Sequence, residues 1–137
     1  MGCDIHVHTE IKLDGVWEHY SQPDIRRSYA LFEIMAGVRG EDESAISSPK
    51  GLPVDPSKVT AFECEMFGDD GHSHSWLSSE EIGELYAWWE KEQPFKDRTG
   101  EYSGIEQQFG YLFGNTWKKD NMPERVTDFR FVFWFDN

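Results

Sequence analysis

The sequence predicts an α+β domain over residues 1–137: a mostly antiparallel sheet, built from an N-terminal hairpin and a C-terminal central strand, with helices packed against it. Three observations carry that expectation. Residues 3–13 alternate apolar and polar and run into Asp14-Gly15, a preferred hairpin turn. Residues 125–135 place Phe129, Phe131, Phe133 and Phe135 on one strand face, with Val132 and Trp134 on the other. Between them, Ile82, Leu85, Tyr86 and Trp89 recur at helical spacing behind a complete helix-start signal.

In the first strand, one face carries Cys3, Ile5, Val7, Thr9, Ile11 and Leu13, a core face. The other carries Asp4, His6, His8, Glu10 and Lys12. A tight Asp14-Gly15 turn pairs Leu13 with Val16, Lys12 with Trp17, Glu10 with His19 and His8 with Ser21. Asp4, His6, His8, Glu10 and His19 then fall in one polar cluster, a promising start for a metal or acid–base site.

Further along, Ile25, Tyr29, Phe32 and Ala36 predict a helix, with Asp24 as N-cap and Gly37 as its stop. Residues 40–53 read as a long loop, the kind that serves as a lid or binding segment. Asp55-Pro56 reads as N-cap and first turn of a second helix, with Val59, Phe62 and Met66 as its apolar face and Gly68 as its end. Residues 68–76, Gly-Asp-Asp-Gly-His-Ser-His-Ser-Trp, read as a loop. Ser78 and Glu81 make a capping box behind that loop, Leu77 and Ile82 a hydrophobic staple, and Pro94 follows the helix end. Residues 95–124 are rich in glycine and isolated aromatics, and a short helix around 105–113 is the one element the pattern allows there.

Composition narrows the function classes. A net charge of −13 excludes a nucleic-acid polymer as partner, because such binding is driven by Lys and Arg neutralising phosphates. It also disfavours an acidic membrane surface, and no apolar run is long enough to span a bilayer. A small nucleotide remains allowed, its few charges met by a metal or by one or two arginines. Two cysteines, Cys3 and Cys64, are too few for a disulfide framework, so a cytoplasmic protein with reduced thiols is expected.

Four of the five histidines lie in two His-x-His motifs, His6/His8 and His72/His74. With Asp4, Glu10, Asp69 and Asp70 they offer the imidazole and carboxylate donors that zinc, manganese or iron take. The plainer reading makes His6 and His8 half-buried polar residues and Asp69-Asp70-Gly71 a turn. No Gly-x-Ser-x-Gly elbow and no glycine-rich phosphate loop is present.

Two resemblances follow from these residues. Asp4–Glu10 resembles the first metal-binding motif of the polymerase-and-histidinol-phosphatase phosphoesterases, which hydrolyse phosphate esters. That likeness ends at the hairpin, and those enzymes are barrels of roughly 200 residues or more, so it implies chemistry and not fold. More broadly, the chain resembles a family of small bacteriophage and prophage proteins. The likeness rests on Met1–His6, Ala36–Arg39, Gly51–Pro53, Gly71–Leu77 and Val132–Asn137. In that family the position of His8 is often not histidine, which shifts weight to Asp4, His6, Glu10, His72 and His74. It implies a bacterial host cytoplasm and a role against host defence, where small proteins cleave or sequester nucleotide signals.

The expected function is a small hydrolase of a phosphodiester or nucleotide, working with a divalent metal. Asp4, His6, His8, His72 and His74 hold the ion, Asp69, Asp70 or Glu10 acts as general base, and Arg27, Arg39 and His19 contact the ligand. The alternatives are a protein, as a monomer or a homo-oligomer, that sequesters a nucleotide without cleaving it, and an acidic inhibitor of a host protein.

Overall fold

The computed structural model describes residues 2–25, 27–40, 42–92 and 118–137. The helix expected around 105–113, the Pro94 stop and Arg26 lie outside them. The elements run β1 (Asp4–Leu13), β2 (Val16–Ser21), α1 (Tyr29–Ala36), α2 (Lys58–Phe67), β3 (Gly71–Ser78), α3 (Ser79–Glu92) and β4 (Val126–Asp136). The four strands form one antiparallel sheet in the order β2-β1-β4-β3, so the architecture is α+β.

The hairpin closes as its turn chemistry demands: Asp14 and Gly15 sit at φ 52° and 83°. Leu13 faces Val16, Lys12 faces Trp17 and Glu10 faces His19. A bulge between Thr9 and Glu10 then moves Ser21 opposite Thr9 instead of His8. β4 enters between β1 and β3 and is buried from Phe129 to Phe135, the central strand its two apolar faces require.

Each face of the β1–β4 pair has its own cover. Ile5, Val7 and Ile11 lie opposite Phe135, Phe133 and Phe129. This ladder packs with Leu31, Phe32 and Met35 of α1 and with Ile82, Leu85 and Trp89 of α3 in one core. The other face carries His6, His8 and Glu10 beside Trp134, Val132 and Arg130, and α2 lies over it. No helix among the described residues is long and apolar enough to cross a membrane.

Helix ends and faces differ from expectation in instructive ways. α1 begins at Tyr29, because the Ser28 hydroxyl accepts the Leu31 amide at 3.3 Å and caps it there, and Gly37 ends it at φ 74°. α2 begins after Ser57, since Asp55 is not free to cap: Arg130 holds both its carboxylate and its carbonyl. Its expected core face points outward, with Val59, Phe62 and Met66 exposed. Thr60 is buried and Phe67 half-buried on the inner side, where the neighbours are polar and aromatic. The capping box of α3 forms as read, Ser78 Oγ accepting from Glu81 N at 3.2 Å and Glu81 Oε1 from Ser78 N at 3.0 Å.

The largest departure is in residues 71–76, read as loop, which with Leu77 and Ser78 form edge strand β3 (Gly71–Ser78). A bulge between His72 and Ser75 interrupts its pairing with β4, and Ser73 turns to φ 54°. Part of the loop expected as a lid docks on this edge: Gly51 N donates to the His74 carbonyl at 2.8 Å and Lys50 N to Ser75 Oγ at 3.1 Å.

Candidate functional site

The antiparallel register of β1 and β4 sets the composition of the polar face: Asp4 lies opposite Asp136, His6 opposite Trp134, His8 opposite Val132 and Glu10 opposite Arg130. The expected cluster therefore exists as a row along β1, but each member takes a separate partner.

At the inner end, Glu10 has no exposed surface. Its Oε1 accepts from Arg130 Nε at 2.7 Å, and its Oε2 accepts from Ser57 N at 2.8 Å and Thr60 Oγ1 at 2.7 Å. Burial alone would raise this carboxyl, but the bonds from Ser57, Thr60 and Arg130 outweigh it and hold it below the ordinary carboxylate range. Arg130 lies 3.9 Å over the Trp17 ring and also holds Asp55. A carboxylate this engaged cannot serve as a general base. The expectation for Glu10 is corrected: it ties the start of α2 to the sheet.

Next in the row, His8 is fully buried and its Nδ1 lies 2.9 Å from Nε2 of His19. One ring donates and the other accepts, so the pair shares a single proton. Burial first, and then the neighbouring His19, push the His8 pKa down to about 4. The Nε2 of His8 has no hydrogen-bond partner among the described residues. Its ring stacks on Trp134 at 5.0 Å, and the buried Nε1 of Trp134 is likewise unpartnered among them. An unmet buried polar atom costs about 1–3 kcal/mol. His19 itself lines a separate groove of about 700 Å³ with Lys12, Trp17 and Lys58.

The outer end is partly exposed at His6 and Asp136, while Trp134 between the histidines is buried. His6 Nε2 donates to Asp136 Oδ1 at 2.9 Å, which leaves Nδ1 of His6 as a lone pair. Phe67 lies against the His6 ring at 4.2 Å between centroids. Trp134 stands between His6 and His74, with ring centroids at 6.3 Å and 6.1 Å from theirs. His74 is half-buried with no partner on either ring nitrogen among the described residues, and burial first, then the nearby His72, lower its pKa from the ordinary histidine value. It reaches this face because the bulge reverses the alternation of β3 at Ser73. His72 instead stacks on Phe135, donates from Nε2 to Asn137 Oδ1 at 3.1 Å and accepts at Nδ1 from Ser73 Oγ at 3.0 Å.

The remaining expected residues sit around this end. Asp4 is held by Arg27 through two bonds, Nε to Oδ1 at 2.6 Å and Nη2 to Oδ2 at 3.2 Å, which lower its pKa. Arg39 lies over Tyr29 at 5.3 Å, beside Cys3 on the α1 side of the sheet and away from the histidines. Asp69 and Asp70 are exposed in the turn before β3. Among the described residues, no three of His, Cys, Asp and Glu are gathered in a group that could hold a metal ion. The expected set of Asp4, His6, His8, His72 and His74 is instead divided among Arg27, Asp136, His19 and Asn137, leaving His74 alone, so the residues present do not fit a preassembled metal centre.

Four residues of this site escape a sequence reading: Phe67, Trp134, Asp136 and Asn137. Strand alternation does put Trp134 and Asp136 on one face. Only the pairing of β1 with β4 brings that face to the histidines. Compared with known protein families, curated proteins and solved structures, the chain finds no match in any of the three.

Proposed function

We propose that this protein hydrolyses a phosphodiester bond of a small nucleotide by acid–base catalysis at the outer end of the β1–β4–β3 face. The observation that supports this most directly is the His6–Asp136 pair, an imidazole whose tautomer is fixed by a carboxylate, set across Trp134 from the unpaired His74. Nδ1 of His6 takes a proton from water as the water oxygen bonds to phosphorus. The ester P–O bond breaks, the departing alkoxide takes its proton from solvent, and His6 returns its own to solvent. Neutral His74 donates a hydrogen bond to a phosphoryl oxygen. A nucleotide signal of host defence is the substrate class that the phage resemblance suggests.

A second reading, sequestration without cleavage, is favoured by the ring of Phe67 on His6, a place where a nucleobase could stack instead. Incubation with a panel of cyclic and linear nucleotides, followed by chromatography before and after heat denaturation, separates the two. New products that persist in chelator support the proposed hydrolysis. Products that require manganese restore a metal mechanism, assembled on substrate binding. A nucleotide recovered intact only after denaturation establishes sequestration, and no change in any sample defeats both readings.

A further inference from the structure

Trp134 has no exposed surface, yet its indole N–H has no acceptor among the described residues. Nε1 is bonded to Cδ1, and Cδ1 lies 3.3 Å from the point where a Cβ on Gly71 would stand. The Nε2 of His74 lies 3.2 Å from the same point and the two ring centroids are 6.1 Å apart, so the indole edge and this imidazole both flank the Gly71 backbone, where a Cβ would crowd them. Phe67 closes the place from above. Its Cβ is 3.5 Å from that point, and its ring centroid is 4.2 Å from His6 and 5.8 Å from Trp134. Phe67 is the last residue of α2, and the next residue is Gly68 at φ 53°, whose amide caps the helix on the Cys64 and Glu65 carbonyls, so the helix ends at the ring that covers the place.

We propose that the indole N–H of Trp134 and the imidazole of His74 together receive an oxygen of the ligand's phosphoryl group, and that Phe67 is the cover that turns aside at Gly68 to admit it. This rests on the reading of the site as one for phosphate esters and adds the seat of the phosphate and its gate. An indole N–H donates only, so Trp134 serves an anionic oxygen and cannot itself ligate a cation. The closed cover also accounts for an N–H left unmet in the free protein.

The test is a titration of the full ¹⁵N-labelled chain with inorganic phosphate and with adenosine 5′-monophosphate, following the assigned indole signals of the six tryptophans. The Trp134 signal should move downfield and saturate. Phe67→Ala should lower the midpoint about threefold by removing the cover. Trp134→Phe, which deletes the donor, should weaken binding about tenfold by calorimetry, the worth of one hydrogen bond to a charged group. Binding that leaves the Trp134 signal in place overturns the proposal, as does the absence of any shift with both probes. Should Trp134→Phe fail to fold, the wild-type and Phe67→Ala titrations decide alone. Turnover of a nucleotide with an unmoved Trp134 signal sinks this inference and spares the hydrolase. A moved signal without turnover does the reverse.

Discussion

The two ends of one strand face behave oppositely. At the inner end, Glu10 spends every oxygen: Arg130, Ser57 and Thr60 supply its partners, and no surface is exposed. At the outer end, His6 keeps a free Nδ1, His74 has no partner among the described residues, and Trp134 carries an unmet donor. Both ends are polar, and the spacing of β1 does not tell them apart. What separates them is saturation: the inner network has its bonds made and ties α2 to the sheet, while the outer one has polar atoms without partners among the described residues.

The sharpest way to break this comparison is Glu10→Ala. It takes from Arg130 its one fully buried partner, leaves that guanidinium only the exposed Asp55, and should cost about 3 kcal/mol of unfolding free energy in urea denaturation. A loss within about 1 kcal/mol would make the inner end dispensable and the contrast false. The counterpart is His6→Ala, which should lower kcat about 10²–10³-fold in the nucleotide assay and leave the urea midpoint nearly unchanged. A collapsed fold with that change would place His6 beside Glu10 as scaffold.

Acid sharpens the boundary between the ends. His8, held at about 4 when folded and near 6.5 when unfolded, binds its proton only in the unfolded chain across that window. Stability should therefore rise with pH from about 4 to 6.5, by roughly 3 kcal/mol, and level off above. Glu10 acts lower: its folded pKa is depressed, so its contribution is present above the ordinary carboxylate value and lost as pH falls through the folded one. His8→Phe should flatten the upper part of the acid limb in denaturation curves taken at successive pH values, and an unchanged limb would reassign it to carboxylates. The smallest expected effect is Thr60→Val, about 1–2 kcal/mol for one donor to a buried carboxylate, read as a shift in urea midpoint with activity retained.

The hairpin, the capped helix α3 and the core character of β4 were legible because each depends on residues close in sequence. Asp14-Gly15 dictates its own turn, and Ser78 with Glu81 its own cap. β3 was hidden by its start and by what precedes it: Gly68, Asp69 and Asp70, then Gly71 with alternating His and Ser, look like loop, and the bulge at Ser73 breaks the period that would reveal a strand. α2 misled in another way. Its apolar residues Val59, Phe62 and Met66 imply a core face, but its partner surface is the histidine row, so Thr60 and Phe67 turn inward. For the site, the row from Asp4 to Glu10 was legible and its partners were not, because Arg130, Trp134 and Asp136 arrive from the far side of the chain.

That long reach also governs how the molecule comes into being. The two middle strands of the sheet, β1 and β4, are joined across residues such as Glu10 and Arg130 that lie 120 positions apart. On a ribosome, β1 must wait unpaired on that side until β4 has left the exit tunnel, with its apolar row uncovered meanwhile. Non-local closure of this kind slows folding and leaves a window for misassociation, so the acidic, self-repelling composition serves the nascent chain as much as the finished one.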